Sequence, residues 1–196
     1  MVSHGKRELV TGKEPMHATV RLIERLPSLR RKSALAVLKP AFAAGCARFG
    51  FRLVHWSVQS NHIHMLVEAE DNDSLSRGMK GLLVRVARAL NKLWKRKGRV
   101  FSDRYHARIL KTPREVRHAL VYVLQNARRH GLRLLSGLDA YASGFWFLGW
   151  KEGQPMVVGD RWPLPVARAR TWLLETGWWK RHGLIGREES PLRRAA

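Results

Sequence analysis

Ser60-Asn61-His62-Ile63-His64-Met65-Leu66-Val67-Glu68 is the segment on which the fold turns. Its residues alternate in polarity, as in a strand with two different faces. His62, His64, Leu66 and Glu68 fall on one face; Ile63, Met65 and Val67 fall on the other, toward a core. Residues 51–59 alternate too, with Leu53, His55 and Ser57 set against Val54, Trp56 and Val58. Ser60 and Asn61 form a short turn between the two runs, which makes a hairpin. Two imidazoles one strand-step apart can grip a single metal ion, because neutral imidazole is the commonest metal-ligating side chain. By itself, His-x-His can equally line a polar sheet face, so a third ligand and a reactive group must come from elsewhere.

Upstream, residues 17–23 alternate and are rich in β-branched side chains, which predicts the first strand, ended by Pro27. Ser28 is placed to cap a helix over 29–48, with Leu35, Leu38, Phe42, Cys46 and Phe49 at helical spacing. Pro40 predicts a kink or restart within it, and Gly50 ends it. Downstream, Asp71-Asn72-Asp73-Ser74 is a turn and N-cap cluster. A helix over 75–96 follows, with Leu75, Met79, Leu82, Leu83, Val86, Leu90 and Leu93 as its apolar stripe. Residues 100–110 read as a loop passing into a fourth strand. Thr112 and Pro113 open a last helix over 113–130, which Gly131 caps. Strand, helix, strand, strand, helix, strand is the split βαβ order. The fold class is therefore α+β, a ferredoxin-like sandwich with an antiparallel sheet and one added helix. Two helices cover one sheet face, and the other is open unless the added helix lies across it.

The organisation expected is a basic arm over 1–16, the main domain over 17–132, an extension over 133–185 and a disordered tail over 186–196. The extension carries Trp146, Trp150, Trp162, Trp172, Trp178 and Trp179, with a short helix expected within 165–175. Trp178-Trp179-Lys180-Arg181-His182 suits stacking on bases, or belongs to a small appended core.

The chain has 196 residues, 45% of them hydrophobic, enough for one domain with a proper core plus an extension. Lys and Arg number 37 against 15 Asp and Glu, a formal net charge of +22, which points to a polyanionic partner and first to nucleic acid. No apolar run approaches the roughly 20 residues of a spanning helix, and no apolar signal core follows the N-terminal Met1-Val2-Ser3-His4. Cys46 is the single cysteine, so no internal disulfide forms, which fits a reducing cytoplasm.

The added helix carries Tyr122 and Asn126, four apart and so on one helix face. Asn61-His62-Ile63-His64 followed by Tyr122-Val123-Leu124-Gln125-Asn126 resembles the single-tyrosine HUH transposases, the IS200-like family. Within them it is most similar to the REP-associated tyrosine transposases. Met16-His17-Ala18-Thr19-Val20-Arg21, Gly98 to Tyr105, and Arg128-Arg129-His130-Gly131-Leu132 extend the resemblance over 17–132. Two positions depart from the family pattern: Ser60 where Pro is frequent, and Ala127 where Pro often follows Asn. Both shape backbone and neither is a reactive group.

The resemblance implies a transposase that cleaves and rejoins single-stranded DNA through a 5′-phosphotyrosine, leaving a free 3′-hydroxyl. Tyr122 would be the nucleophile. His62, His64 and Asn126, with Gln125 as competitor, would hold one Mg²⁺ or Mn²⁺. Arg21, Lys80, Arg85, Arg88, Arg104, Arg128 and Arg129 would contact DNA phosphates. The partner implied is single-stranded DNA with palindromic or hairpin structure, in a bacterial-type cytoplasm at the nucleoid; a homodimer and a monomer are both admitted. Two rivals are a ferredoxin-like nucleic-acid-binding protein without chemistry and a metal-dependent hydrolase in which water attacks.

Overall fold

The computed structural model describes residues 8–129, 134, 137–154 and 163–191, and the side chain of Arg129 is outside that set. Its elements are β1 (Met16–Arg21), α1 (Lys32–Ala43), β2 (Ala47–Arg48), β3 (Phe51–Val58), β4 (His62–Ala69), α2 (Asn72–Leu93), β5 (His106–Ile109), α3 (Pro113–Leu124) and α4 (Asn126–Arg129). A 3₁₀ turn (Ser143–Trp146), a π turn (Leu173–Gly177) and α5 (Trp178–His182) follow. The sheet order is β2-β3-β4-β1-β5. Every pairing is antiparallel. Without the short edge strand β2, this is the ferredoxin-like order read from the sequence.

Local chemistry sets most boundaries. The Asp71 side chain accepts from Ser74 N–H at 2.7 Å to start α2. Thr112 and Glu115 form a reciprocal capping box at the start of α3, with Pro113 in its first turn. Gly78 lets α2 lie close on β3, since a Cβ there would come within 2.2 Å of the Phe51 ring.

Four local readings differ from the structure. Ser28 accepts from Arg30 N–H at 3.2 Å and does not cap α1, whose N-cap is Arg31. The helix runs through Pro40 as one element but stops at Ala43. Ala47 and Arg48 pair instead with Arg52 and Phe51, and Phe49 and Gly50, both at positive φ, make the turn. An irregularity at Val54 shifts the β3 register, so Leu53 joins Trp56 and Val58 in the core while Val54 meets Leu66 on the other face. The added helix breaks at Gln125, whose ψ of 20° resets the chain between α3 and α4. Its expected end at His130 and Gly131 lies outside the described residues, as does Trp162.

The sheet has two covers. α1 and α2 bury Ile63, Met65 and Val67 with Met16, Ala18 and Val20 on one face. α3 lies across the other and joins Val54 and Leu66 to a second core containing Phe147, Trp150 and Trp178 from the extension. Trp178 is therefore packing, not a stacking platform, while Trp172 and Trp179 stay exposed. The helical segment expected over 165–175 begins only near Trp172.

Polar anchors fasten the extension. Fully buried Glu68 takes Arg52 Nε at 2.8 Å, the Arg170 and Thr171 backbone N–H groups at 2.9 Å each and Thr171 Oγ1 at 2.8 Å. Asp139 takes both guanidinium nitrogens of Arg30 at 2.8 and 2.9 Å. Residues 186–191, expected to be disordered, are held in place: Glu189 pairs with Arg117 at 2.6 Å and Glu188 with Arg128 at 2.7 Å. His55 is buried beside Ser143 Oγ at 3.1 Å, and burial pushes its pKa down to about 3, so it is a neutral structural imidazole.

Breaking one partner of a buried, hydrogen-bonded ion pair leaves the other charge uncompensated, at a cost of about 3–5 kcal/mol. Glu68→Gln is expected to lower unfolding free energy in urea by about that amount and to speed proteolysis within the extension. A loss no larger than that of an exposed Glu70→Gln control would show that Glu68 does not fasten the extension.

Candidate active site

Antiparallel pairing of β1 and β4 sets Thr19 opposite His64 and Arg21 opposite His62. Directly opposed residues share a face. His17, Thr19 and Arg21 therefore line the same surface as the two histidines, and α3 crosses it carrying Tyr122. The Tyr122 hydroxyl lies 3.3 Å from His64 Nε2. His62 Nε2 lies 3.0 Å from that same nitrogen. The His64 ring meets those of His62 and Tyr122 edge to face, with centroids 4.7 and 5.0 Å apart.

The neighbours of each ring decide which nitrogen is bare. His62 Nδ1 is 2.8 Å from Asn61 Oδ1, an acceptor, so Nδ1 carries the proton and Nε2 keeps its lone pair. His64 Nδ1 faces Thr19 Oγ1 at 3.0 Å and His17 Nε2 at 3.2 Å. In the tautomer in which Nδ1 donates to either of them, His64 Nε2 keeps its lone pair as well. His17 is held neutral: burial first, then the charges of Arg108 and His106, pull its pKa down to about 4. Two bare nitrogens facing each other at 3.0 Å repel unless positive charge, a proton or a cation, lies between them. Two donors bound at right angles to one ion, each about 2.1 Å from it, stand about 3.0 Å apart, so the pair has a bite suited to a small octahedral ion.

Among the described residues no group of three or more His, Cys, Asp or Glu is placed to hold a metal. The third donors expected from the sequence are the amides of Asn126 and Gln125. Asn126 is 1% exposed, and neither its Oδ1 nor its Nδ2 has a hydrogen-bond partner among the described residues. Leaving such a group buried and unpaired costs about 1–3 kcal/mol, so a ligand there would relieve it. Gln125 is committed differently: its Nε2 donates to the carbonyls of Gly186 and Arg187 at 3.2 and 2.7 Å, and only Oε1 is unpartnered.

The basic residues named from sequence scatter. Arg21 is exposed beside His62, and Arg104 is exposed in the loop before β5. Lys80, Arg85 and Arg88 ride on α2, behind the sheet from the imidazoles, and Arg85 also donates to the Gly81 carbonyl at 2.8 Å. Arg128 is drawn to Glu188 and to the Gly137 carbonyl, so its charge is already matched within the chain. The side chain of Arg129 lies outside the described residues.

Residues 14–126 match the family model described as transposase IS200 like. The chain belongs to the IS200-like transposase family. The match spans β1, the histidine hairpin, β5 and α3 as far as Asn126, and leaves out the extension. The fold is similar to a solved REP-associated tyrosine transposase bound to a REP hairpin, with a TM-score of 0.63 and 16% identity over 86% of this chain and 99% of that one. A looser likeness is to a Deinococcus radiodurans R1 protein described as a transposase, with a TM-score of 0.43 and 15% identity over 60% of this chain and 91% of that one. No curated protein matches the sequence.

His17 and Thr19, to which the motifs assign no site role, both touch His64. The signal was present, since His17, Thr19 and Arg21 share one parity on β1. What only the structure supplies is the register of β1 against β4, which sets Thr19 opposite His64. An NMR titration should find the His17 imidazole with a midpoint near 4, and Arg108→Gln should raise it by removing a neighbouring positive charge. A midpoint near 6.5 in the unaltered protein would contradict the burial of His17 beside Arg108 and His106.

Proposed function

We propose that this transposase cuts and rejoins single-stranded DNA with Tyr122 as nucleophile, and that its substrate is a strand bearing a hairpin. The observation that carries this reading is the Tyr122 hydroxyl 3.3 Å from His64 Nε2, the nitrogen that also faces His62. A phenol and two imidazole donors converge on one point, inside a protein of net charge +22. The hairpin bound in the structural neighbour supports the substrate class.

His62, His64 and Asn126 would hold one Mg²⁺ or Mn²⁺. Bound there, such an ion neutralises charge on a phosphate oxygen during attack. This chain's own residues do the rest. Asn61, Thr19 and His17 hold the two imidazoles in the tautomers that donate from Nε2. α3 fixes the Tyr122 oxygen beside them, so that attack on a bound strand becomes a first-order event. The Tyr122 oxygen forms a bond to phosphorus as the bond to the 3′ oxygen breaks, the phenolic proton leaves, and the 3′ oxygen gains one. The products are a 5′-phosphotyrosine and a free 3′-hydroxyl, and the reverse attack rejoins the strand. The two imidazoles and the phenol meet within one chain, which supports a site that one copy can build. No helix among the described residues is long and apolar enough to cross a membrane, and we assign the protein to the DNA-containing cytoplasm.

Incubating the protein with end-labelled, hairpin-flanked single-stranded DNA and Mn²⁺ should yield a protein-linked band on a denaturing gel. Tyr122→Phe should abolish that band and leave DNA binding within about two-fold. Asn61→Ala should weaken Mn²⁺ affinity by about 10–100-fold, the usual range for removing a group that orients a metal ligand. Cleavage without any linked protein would favour attack by water. Binding with no cleavage in the presence of metal would favour the non-catalytic reading.

A further inference from the structure

A turn late in the extension, over 183–189, grips the tyrosine helix along its length. Arg117, Val121 and Gln125 fall four apart and so share one row of α3. At the start of that row Arg117 donates to both carboxylate oxygens of Glu189 at 2.6 and 2.9 Å, and to the carbonyls of Gly183 and Leu184 at 3.3 and 3.2 Å. About 12 Å further along the helix, Gln125 Nε2 donates to the carbonyls of Gly186 and Arg187 at 3.2 and 2.7 Å. Past Gln125, Arg128 pairs with Glu188 at 2.7 Å. The turn is itself held. Glu189 N–H donates to the Gly186 carbonyl at 3.0 Å, and Ile185, fully buried, bonds through its backbone to Gly149 and Lys151 at 3.0 and 2.9 Å.

These grips stand on both sides of the break between α3 and α4. Gln125 is the C-cap residue of α3, and Asn126 is the first residue of α4, which has only 4 residues. So short a helix makes too few internal bonds to hold its own direction. That direction must be set from outside, and the turn supplies bonds to Gln125 and Arg128, immediately before and within α4. The chemistry at position 125 is specific. Both partners are carbonyls, which only accept, so the position requires a side chain that donates twice. The turn also lies outside residues 14–126, the part of the chain that matches the family model.

We propose that the 183–189 turn is a splint for the α3–α4 break, and that Gln125 is the positioning residue through which it holds Asn126 in place as the third donor beside His62 and His64. Asn126 is buried with both amide atoms unpartnered among the described residues. An amide in that state contributes to a metal site only if its backbone is fixed, because a ligand set must be held to within about 0.5 Å. The inference rests on the reading of Asn126 as a metal donor but not on the chemistry of Tyr122. It gives the extension a part in the site: the hairpin and α3 bring the imidazoles and the phenol, and the extension fixes the amide.

The test measures Mn²⁺ affinity of the full chain without DNA, by electron paramagnetic resonance of the free ion. The variants are Q125M, E189Q, N126A and the double variant Q125M/N126A. Met is close to Gln in length and in helix propensity, so Q125M removes the two bonds with little change in packing, and urea unfolding checks the fold. E189Q loosens the same turn at its other end and leaves Gln125 intact. Q125M should weaken Mn²⁺ binding about ten-fold, within the usual range for losing a group that orients a metal ligand. E189Q should weaken it by at least about three-fold. In the N126A background Q125M should change affinity by less than about two-fold, because a residue that acts through Asn126 then has nothing left to hold. A merely structural role would weaken binding equally in both backgrounds. That equal loss, or a Q125M variant that binds as the unaltered protein does, would overturn the proposal. So would an E189Q variant with unchanged affinity, since the turn would then not be the splint. If the unaltered protein binds no Mn²⁺, or N126A binds as tightly as it does, the metal reading fails and the positioning role with it. If the expected pattern appears but no DNA-linked protein forms, the tyrosine chemistry fails while the positioning role stands.

Discussion

The antiparallel pairing of β1 with β4 is the constraint from which the rest of the molecule follows. It brings Thr19 opposite His64 and Arg21 opposite His62, and so lays a polar, imidazole-rich patch on a sheet whose reverse side is packed with Met16, Ala18, Val20, Ile63, Met65 and Val67. A slip of one residue would send the histidines into that core and the aliphatic side chains into the site. Burying uncompensated polar groups in that way would cost several kcal/mol. The register is thus enforced by the core, and the site inherits its precision from packing on the opposite face.

A sheet with an apolar patch at one end of its second face and imidazoles at the other needs a partial cover. α3 meets that need, with Val116, Leu120, Val123 and Leu124 in the second core and Tyr122 at its margin. The extension completes the cover through Phe147, Trp150 and Trp178, and is pinned by Glu68 and by the Arg30–Asp139 pair. Glu68 shares the His62 and His64 face of β4 yet does no site chemistry. Its carboxylate is surrounded by donors from Arg52, Arg170 and Thr171. One strand face thus carries both the site and the anchor of its cover, which ties the stability of the extension to the placement of Tyr122.

The break at Gln125 separates two tasks that an unbroken helix would have combined. Gln125 turns its amide to the carbonyls of Gly186 and Arg187, fastening the end of the described chain. Asn126 begins a new helical segment, buried with both amide atoms unpartnered. An orphaned buried amide directly after a structural one marks where stability was given up, and functional sites are where such departures concentrate.

The amino-acid sequence alone determined the alternation of β4, the caps at Asp71 and Thr112, the order of elements and the pairing of a His-x-His with a later tyrosine. These are local properties: a period of two, a side chain reaching its own backbone three residues on, a proline in a first turn. It could not determine the register of β1 against β4, because that rests on contacts some forty-five residues apart in the chain. So His17 and Thr19, the residues that orient His64, became visible only in three dimensions. The same holds for the irregularity at Val54, the capture of Arg128 by Glu188 and the position of the α2 cations behind the sheet. Helical spacing marks which side of α2 is wet, but only the packed sheet decides which way that side faces.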